Sequence, residues 1–302
     1  MHIPNEMLST PVCPVTAAIA AGGIGLAAYA AWKTRKSDAG LLTPARFASV
    51  GAVIFAAQML NFPIFDGVSG HFAGGVLAAT LLGVPGGMIC MALILTLQAL
   101  LFADGGLNTL GANVLNMALL GAGVGGMLRL WLLKSCRWSN AWATGVAAAL
   151  GTELAAFGVF VELACEGKAS LEVFNALMGA HTLIALAEGV ITAALAALLN
   201  RQTSPEAKPA RAFVLTAAIV TLVALLVSPL ACVFPDALEA TRMHFHLTGN
   251  PTTTFAAPMP DYAVTQVSNS LLSGYLAAIV GILATAVCGF GIGLVLKQRP
   301  SN

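Results

Sequence analysis

Long apolar runs almost free of charge restrict the fold of this chain more than any other feature. A helix that crosses a hydrocarbon core of about 30 Å needs about 20 consecutive apolar residues. About nine runs approach that length, and only 9% of the 302 residues are charged. The runs are at residues 14–32, 46–60, 70–84, 86–102, 108–133, 140–162, 178–199, 212–233 and 271–296. The sequence therefore predicts an all-α integral membrane protein with about nine transmembrane helices.

The distribution of lysines and arginines predicts the orientation of the chain. Cytoplasmic loops of membrane proteins carry an excess of these residues. With an amino terminus outside and nine crossings, all but two of the 14 lysines and arginines fall on the cytoplasmic side, the exceptions being Lys168 and Arg242. We therefore expect the amino terminus outside and the carboxyl terminus in the cytoplasm.

A polar stretch divides the runs into two predicted modules. Residues 200–211 are mostly polar, contain two prolines and follow the seventh run. This pattern predicts a seven-helix domain at 1–199, a cytoplasmic linker at 200–211 and a two-helix module at 212–302. The second module carries a long extracytoplasmic loop at 234–270, and loops of such length are usually functional or disordered. The net charge of +1 predicts no nucleic-acid partner.

The first two residues form a candidate metal chelate. The Met1 amine, the His2 amide and the His2 imidazole can close two fused rings around one ion, provided that no residue precedes Met1. His71, which lies beside Gly70, is expected on the same outer side and offers a fourth nitrogen. Four nitrogens in a plane suit Ni(II) or Cu(II), and Co(II) is a plausible variant.

Polar residues at the ends of predicted helices are candidates for orienting these ligands. They lie where the fourth and fifth predicted helices meet the outer side, and helix–helix contact explains them equally well. The group comprises Gln98, Asp104, Asn108, Asn113 and Asn116.

Three of the ionisable residues inside predicted helices are further candidates, because such residues normally face the bundle interior and mark function. His181 and Glu188 are seven positions apart on one face of the seventh helix, and Glu153 lies in the middle of the sixth. A structural pair or a contact with a partner subunit fits them as well as a role in metal binding. In the outer loop, His244 and His246 form a possible pair for transient metal capture, although a solvated loop fits equally.

Two other classes of function compete with metal transport. Gly67-Val68-Ser69-Gly70 matches the G-x-S-G signature of intramembrane serine proteases, with Ser69 as nucleophile and His181 as its base. The residues after His181 lack the glycines that pack the catalytic helices in that class. A stand-alone metal channel or sensor is the third possibility.

Several motifs recur in the order found in one known family. They are Met1–Pro4, Ala57–Pro63, Ser69–His71, Gln98–Phe102, Asp104–Gly106, Gly111–Met117 and, around Glu188, His181–Thr192. Residues 1–199 resemble the CbiM/NikM family, the substrate-specific (S) components of energy-coupling-factor (ECF) transporters for nickel and cobalt. The remainder resembles the small CbiN/NikN subunit, through Pro235–Glu239, Ala257–Tyr262 and two flanking helices.

The resemblance implies both a site and a function. It implies that Met1, His2 and His71 hold Ni²⁺ or Co²⁺ as the transported substrate, with no bound catalytic cofactor. It further implies high-affinity, ATP-driven uptake through the prokaryotic inner membrane, in some family members linked to cobalamin biosynthesis. The implied partners are a coupling transmembrane subunit (T component) and two cytoplasmic ATPase subunits, so that the chain itself is a transporter component and not an enzyme.

The chain departs from the family pattern at two places. The family usually continues Met-His-Ile-Pro with Asp-Gly, whereas Asn5 and Glu6 follow here, and Ala237 stands where the loop motif usually has Gly. Neither change removes a proposed ligand. Loss of the carboxylate at position five is expected to weaken the support of the ligands, unless Glu6 compensates.

Overall fold

Helices form almost all of the regular structure in the computed structural model, which describes residues 1–9, 11–34, 41–200, 209–247 and 255–297. The predicted all-α membrane protein is confirmed. The long helices are α1 Val12–Thr34, α2 Pro44–Gln58, α3 Gly75–Phe102, α4 Leu110–Lys134, α5 Asn140–Cys165, α6 Leu171–Asn200, α7 Pro209–Val227 and, after the short α8 Ala237–His244, α9 Ser270–Leu296. Part of the predicted linker, 201–208, lies outside the described residues.

Seven helices within the described ranges are long and apolar enough to cross a membrane, and the two further predicted runs fall on α2 and on one of the two parts of α3. Helix α2 has only 15 residues, or roughly 22 Å at 1.5 Å per residue. The third and fourth predicted helices, 70–84 and 86–102, correspond to the parts of α3 before and after Gly83. The number of long helices is therefore lower than the number of apolar runs because α2 is short and the two parts of α3 are continuous in sequence.

Helix α3 reverses direction at Gly83. This residue has φ 75° and ψ 159°, and only glycine adopts such a positive φ readily. Beyond the turn, a Cβ atom on Gly87 would lie 2.5 Å from the backbone nitrogen of Ala79, so the two halves of α3 pack directly against each other. Both ends of α3 therefore lie towards the same end of the bundle.

A two-stranded antiparallel hairpin connects α2 to α3. Strands β1 Asn61–Phe65 and β2 Val68–His71 are joined by a tight turn in which Gly67 has φ 77°. The pairing brings Asn61 opposite His71 at the open end of the hairpin. His71 therefore ends a strand, whereas the sequence predicted that it begins a helix.

Small residues let the second module pack closely on the first, as is common between membrane helices. Helix α9 lies along α2, and a Cβ atom on Gly289 would lie 3.4 Å from the Cα of Ala48. Near the end of the same helix, Gly293 approaches the Cα of Pro44 to 2.5 Å by the same measure. The two modules therefore share a continuous helix interface.

Candidate metal centre

The amino-terminal segment lies inside the helix bundle. Met1 is 5% exposed and Ile3 is fully buried. The Ile3 N–H donates to Asn113 Oδ1 at 2.8 Å, and the Ile3 carbonyl accepts from Asn113 Nδ2 at 3.1 Å and from the Gly106 N–H at 2.9 Å. These contacts fix the backbone that carries the terminal amine.

The terminal amine contacts His71 directly. The Met1 nitrogen is 2.9 Å from His71 Nε2. The other ring nitrogen of His71 is 3.1 Å from the Phe72 carbonyl, which accepts only from a protonated Nδ1. This contact leaves the lone pair of Nε2 facing the amine, as a metal ligand requires.

An amide network connects His2 to the segment that follows His71. His2 Nε2 is 3.1 Å from Gln98 Oε1, Gln98 Nε2 donates to Gln58 Oε1 at 2.8 Å, and Gln58 Nε2 donates to the Ala73 carbonyl at 2.7 Å. Because the Gln98 oxygen faces Nε2, this network assigns the His2 proton to Nε2. The lone pair is then on Nδ1, the nitrogen that closes the chelate ring, and it lies 3.1 Å from Asp104 Oδ1.

The charge of His2 suits metal binding. Burial lowers the pKa of His2 to about 4; the nearby Asp104 carboxylate opposes this shift, whereas the Met1 ammonium and His71 add to it. At neutral pH the imidazole is therefore uncharged. A lone pair that faces a carboxylate is favourable only with a proton or cation between them, and Asp104 thus favours a cation at Nδ1.

The loop of the second module supplies a carboxylate to the same site. Asp236 Oδ2 is 2.7 Å from the Met1 nitrogen and 3.6 Å from His71 Nε2. Burial alone would raise the pKa of Asp236, but the Met1 ammonium outweighs it and holds the pKa well below its usual range. Asp236 is therefore ionised at neutral pH and faces two of the predicted ligands.

Backbone contacts hold this loop against strand β2. The Ser69 N–H donates to the Pro235 carbonyl at 2.9 Å, and the Ser69 hydroxyl donates to the Phe234 carbonyl at 2.7 Å. The role of Ser69 is thus to join the modules. The Ser69 hydroxyl is therefore bonded to the backbone and not to His181. This arrangement contradicts the protease alternative.

A tyrosine of the same loop holds Asp104 in position through a hydrogen bond. The Tyr262 hydroxyl donates to Asp104 Oδ2 at 2.6 Å, and its ring stacks on Phe102 with 4.5 Å between the ring centroids. Burial first, and then the adjacent Asp104 carboxylate, raise the pKa of Tyr262 well above its ordinary value, so the hydroxyl keeps its proton. The second module therefore positions both carboxylates beside the candidate ligands.

A cavity of about 880 Å³ lies between the two modules and reaches His2 and His71. Acidic side chains dominate its charged lining and favour the approach of cations. They are Glu6, Asp104, Asp236, Glu239 and Asp261, and Arg242 lies among them.

The two unusual residues after Pro4 have clear contacts. Asn5 Oδ1 accepts the Asn108 N–H at 2.9 Å, a contact that a carboxylate in this position would also make. Glu6 pairs with Arg242 of the second module at 3.3 Å. The expected loss of support at position five is therefore met by the Asn5 amide, which retains an acceptor oxygen.

The remaining predicted residues divide between supporting and distant positions. Glu188 accepts the N–H groups of Ala73 and Gly74, each at 2.8 Å, and so anchors the segment that follows His71. His181 is buried and its Nδ1 contacts the Leu177 carbonyl at 2.7 Å, within its own helix. Asn116 donates to Glu162 at 2.8 Å inside the bundle.

Three further predicted residues remain without an assigned role. Glu153 has one carboxylate oxygen that is buried without a hydrogen-bond partner among the described residues. His244 and His246 are exposed and do not line the cavity. Their suggested part in metal capture stays a prediction.

Sequence reasoning gave no individual role to three residues that contact the site, Gln58, Asp236 and Tyr262. Gln58 and the loop segments around Asp236 and Tyr262 all lie in the motifs that carry the family resemblance. Their ionisable or amide side chains inside these motifs could have marked them as residues that contact the site. Their contacts join segments far apart in sequence, such as Met1 and Asp236, so no local spacing reveals them.

Each of the two modules matches a known protein family. Residues 2–207 match the family described as cobalt uptake substrate-specific transmembrane region. Residues 211–298 match the PDGLE domain.

Known proteins match the chain over most of its length. It is 33% identical to the putative fused nickel transport protein NikMN of Archaeoglobus fulgidus, over 97% of this chain and 98% of the relative. Identity to the fused nickel transport protein NikMN of Rhodobacter capsulatus is 30%, over 98% of each chain. A crystal structure of a truncated transition metal transporter superposes with a TM-score of 0.57 at 31% identity, over 67% of this chain and 99% of that chain. The chain therefore belongs to the CbiM family of substrate-specific membrane proteins and carries a PDGLE domain fused to its carboxyl end.

Proposed function

We propose that the chain binds Ni²⁺ or Co²⁺ and is the substrate-specific component of an uptake system for that ion. The ligands are the Met1 amine, the deprotonated His2 amide, His2 Nδ1 and His71 Nε2. One observation carries the proposal: the amine and His71 Nε2 are 2.9 Å apart. Two donors at right angles on one ion, with bonds of about 2.1 Å, are separated by about 3 Å.

The donor set selects among divalent ions. An amide nitrogen ligates only after losing its proton, which favours metals high in the stability series and disfavours Mg²⁺ and Ca²⁺, whose preferred ligands are oxygens. Binding displaces protons from the Met1 ammonium and the His2 amide, so affinity should fall as pH falls. The His2 imidazole is already uncharged at neutral pH and therefore releases no proton when the ion binds.

Energy for uptake comes from partner subunits in this proposal. The sequence contains no G-x-x-x-x-G-K-[ST] motif, so we assign ATP hydrolysis to two cytoplasmic ATPase subunits that act through a coupling transmembrane subunit. The proposed division into 1–199, a linker at 200–211 and 212–302 is supported by family matches at 2–207 and 211–298.

The proposed orientation, with the amino terminus outside, is supported by the positions of several basic residues. Lys168 donates to the Met7 carbonyl at 2.8 Å, and Arg242 pairs with Glu6, so the two cations expected outside both contact the amino-terminal segment. Arg46, expected in the cytoplasm, instead donates to the Leu81 carbonyl at 2.8 Å beside the turn of α3.

Insertion of two alanines between Met1 and His2 tests the ligand set. A single inserted alanine would create a new amine–amide–amide–imidazole chelate, whereas two move the histidine to the fourth position and break the ring pattern, so Ni²⁺ and Co²⁺ affinity should fall by more than the roughly 10–100-fold that loss of an outer supporting group costs. The measurement is calorimetric titration of purified protein whose native first residue has been verified by mass spectrometry.

The matched control carries two extra alanines after Asn302 and should bind as the unmodified protein does. Unchanged binding by the insertion variant would contradict the terminal chelate. Because nitrogen ligands generally bind Ni²⁺ more tightly than Co²⁺, uptake of each ion by cells, and not relative affinity, identifies the substrate.

A further inference from the structure

We propose that Asp236, which belongs to the second module, is a fifth ligand of the transported ion. This inference rests on the proposed function, because it adds one oxygen to the four nitrogens of that site. It makes the metal centre a product of both modules.

The distances around Asp236 match those of neighbouring ligands. Its Oδ2 atom is 2.7 Å from the Met1 nitrogen and 3.6 Å from His71 Nε2, and those two nitrogens are 2.9 Å apart. Adjacent donors on one ion lie about 3 Å apart when the bonds are about 2.1 Å long. One ion can therefore touch all three atoms without a rearrangement of the backbone. Because the fused chelate rings occupy a plane, the carboxylate is left with the axial position.

The carboxylate is held in place by the loop that carries it. Asp236 Oδ1 accepts the Glu239 N–H at 2.8 Å and so caps α8, which leaves Oδ2 for the ion. The following residues, Ala237 and Leu238, are 2% and 1% exposed, and the preceding residues bond to Ser69. The Asp236 side chain is only 20% exposed. Its position is thus part of the folded structure and not that of a freely moving surface group.

Binding of the ion releases one proton from the Met1 ammonium and one from the His2 amide. Both protons pass to solvent through the adjoining cavity, which reaches His2.

A carboxylate in the axial position changes the electronic state expected of bound nickel. Four nitrogens in a plane suit diamagnetic Ni(II), whereas a fifth, axial oxygen ligand favours paramagnetic Ni(II). Docking of the second module would therefore make the bound nickel paramagnetic.

Spectroscopy of the full chain loaded with Ni²⁺ tests the proposal. X-ray absorption should show five ligands in the unmodified protein, and magnetic susceptibility should show paramagnetic nickel. In Asp236→Ser the serine oxygen still caps α8, but a neutral hydroxyl is a much weaker ligand of Ni²⁺ than a carboxylate or a thiolate. We expect this variant to show four nitrogen ligands and diamagnetic nickel. Asp261→Asn, a change in the same loop and cavity, should keep five ligands.

A second variant gives a positive signal. In Asp236→Cys, a thiolate at the ligand position should add a sulfur-to-metal charge-transfer band to the Co²⁺ spectrum. The unmodified protein sets the background, because Cys232 also lines the cavity.

Four-coordinate diamagnetic nickel in the unmodified protein would overturn the proposal, as would a nickel spectrum unaltered in Asp236→Ser or a cobalt spectrum without the new band in Asp236→Cys. Failure of the unmodified protein to bind Ni²⁺ or Co²⁺ would instead overturn the proposed function.

Discussion

At the scale of single residues, one amide side chain determines where the terminal amine lies. Asn113 offers both an acceptor and a donor, and it uses them on the N–H and the carbonyl of Ile3. Ile3 is only two residues from the amine, so a small change in this contact moves a proposed ligand. The geometry therefore makes Asn113 a positioning residue of the site.

Asn113→Asp should weaken metal binding with little change in side-chain size. The new carboxylate oxygen would face the Ile3 carbonyl in place of an N–H donor, which both repels the segment and leaves a buried acceptor unpaired. We expect Ni²⁺ affinity to fall by about 10–100-fold. Calorimetric titration measures this change.

Asn108→Ala is the control for Asn113→Asp, because the Asn108 side chain is exposed and only its backbone N–H contacts Asn5. Its affinity should match that of the unmodified protein. Equal affinities for both variants would show that Asn113 does not position the amine.

The contacts of the candidate ligands were only partly predictable from the sequence. Gln98 and Asp104 were expected to orient a ligand, and both lie against His2. Their polar side chains and their position at a helix end made a role beside the ligands predictable. The contact of Asp236 with Met1 was not predictable in this way, because it joins residues 235 positions apart and depends on how the two modules pack.

At the scale of helices and strands, hydrophobicity predicted that a helix exists better than it predicted the path of the backbone. The runs at 108–133 and 271–296 correspond closely to α4 Leu110–Lys134 and α9 Ser270–Leu296, because a membrane helix must be apolar along its whole length. The boundary between the runs at 70–84 and 86–102 agrees with the turn of α3 at Gly83, whereas the hairpin before α3 was not predicted. The hairpin depends on backbone conformation and tertiary packing, which hydrophobicity does not report.

Gly281→Leu should loosen the contact between α9 and the first module. A Cβ atom on Gly281 would press on the Phe55 ring and lie 3.0 Å from Phe102 Cζ. Overpacking of this kind costs about 1–3 kcal/mol. We expect a lower midpoint of thermal unfolding in detergent.

Gly291→Leu places the same residue in the same helix where nothing lies within 4 Å of the added Cβ. This variant should unfold at the temperature of the unmodified protein. A similar loss in both variants would point to helix propensity and not to the interface.

At the scale of the whole molecule, the site forms where the two modules close on each other. The first module supplies the amino-terminal segment, the hairpin and the end of α3, and the second supplies the loop with Asp236 and Tyr262. The Glu6–Arg242 pair joins the modules across the cavity, and its side chains are 29% and 21% exposed. An ion that enters or leaves by this cavity passes the pair, so the pair should affect rates more than affinity.

The double variant Glu6→Gln/Arg242→Gln removes this pair without changing the net charge of the cavity. Exposed pairs contribute about 0.2–1 kcal/mol. We therefore expect Ni²⁺ association and dissociation each to accelerate by up to about fivefold, with nearly unchanged affinity, in stopped-flow measurements. The swapped variant Glu6→Arg/Arg242→Glu restores a pair at the same net charge and should return both rates towards those of the unmodified protein. Unmodified rates in the glutamine variant would show that the ion reaches its ligands without opening this contact.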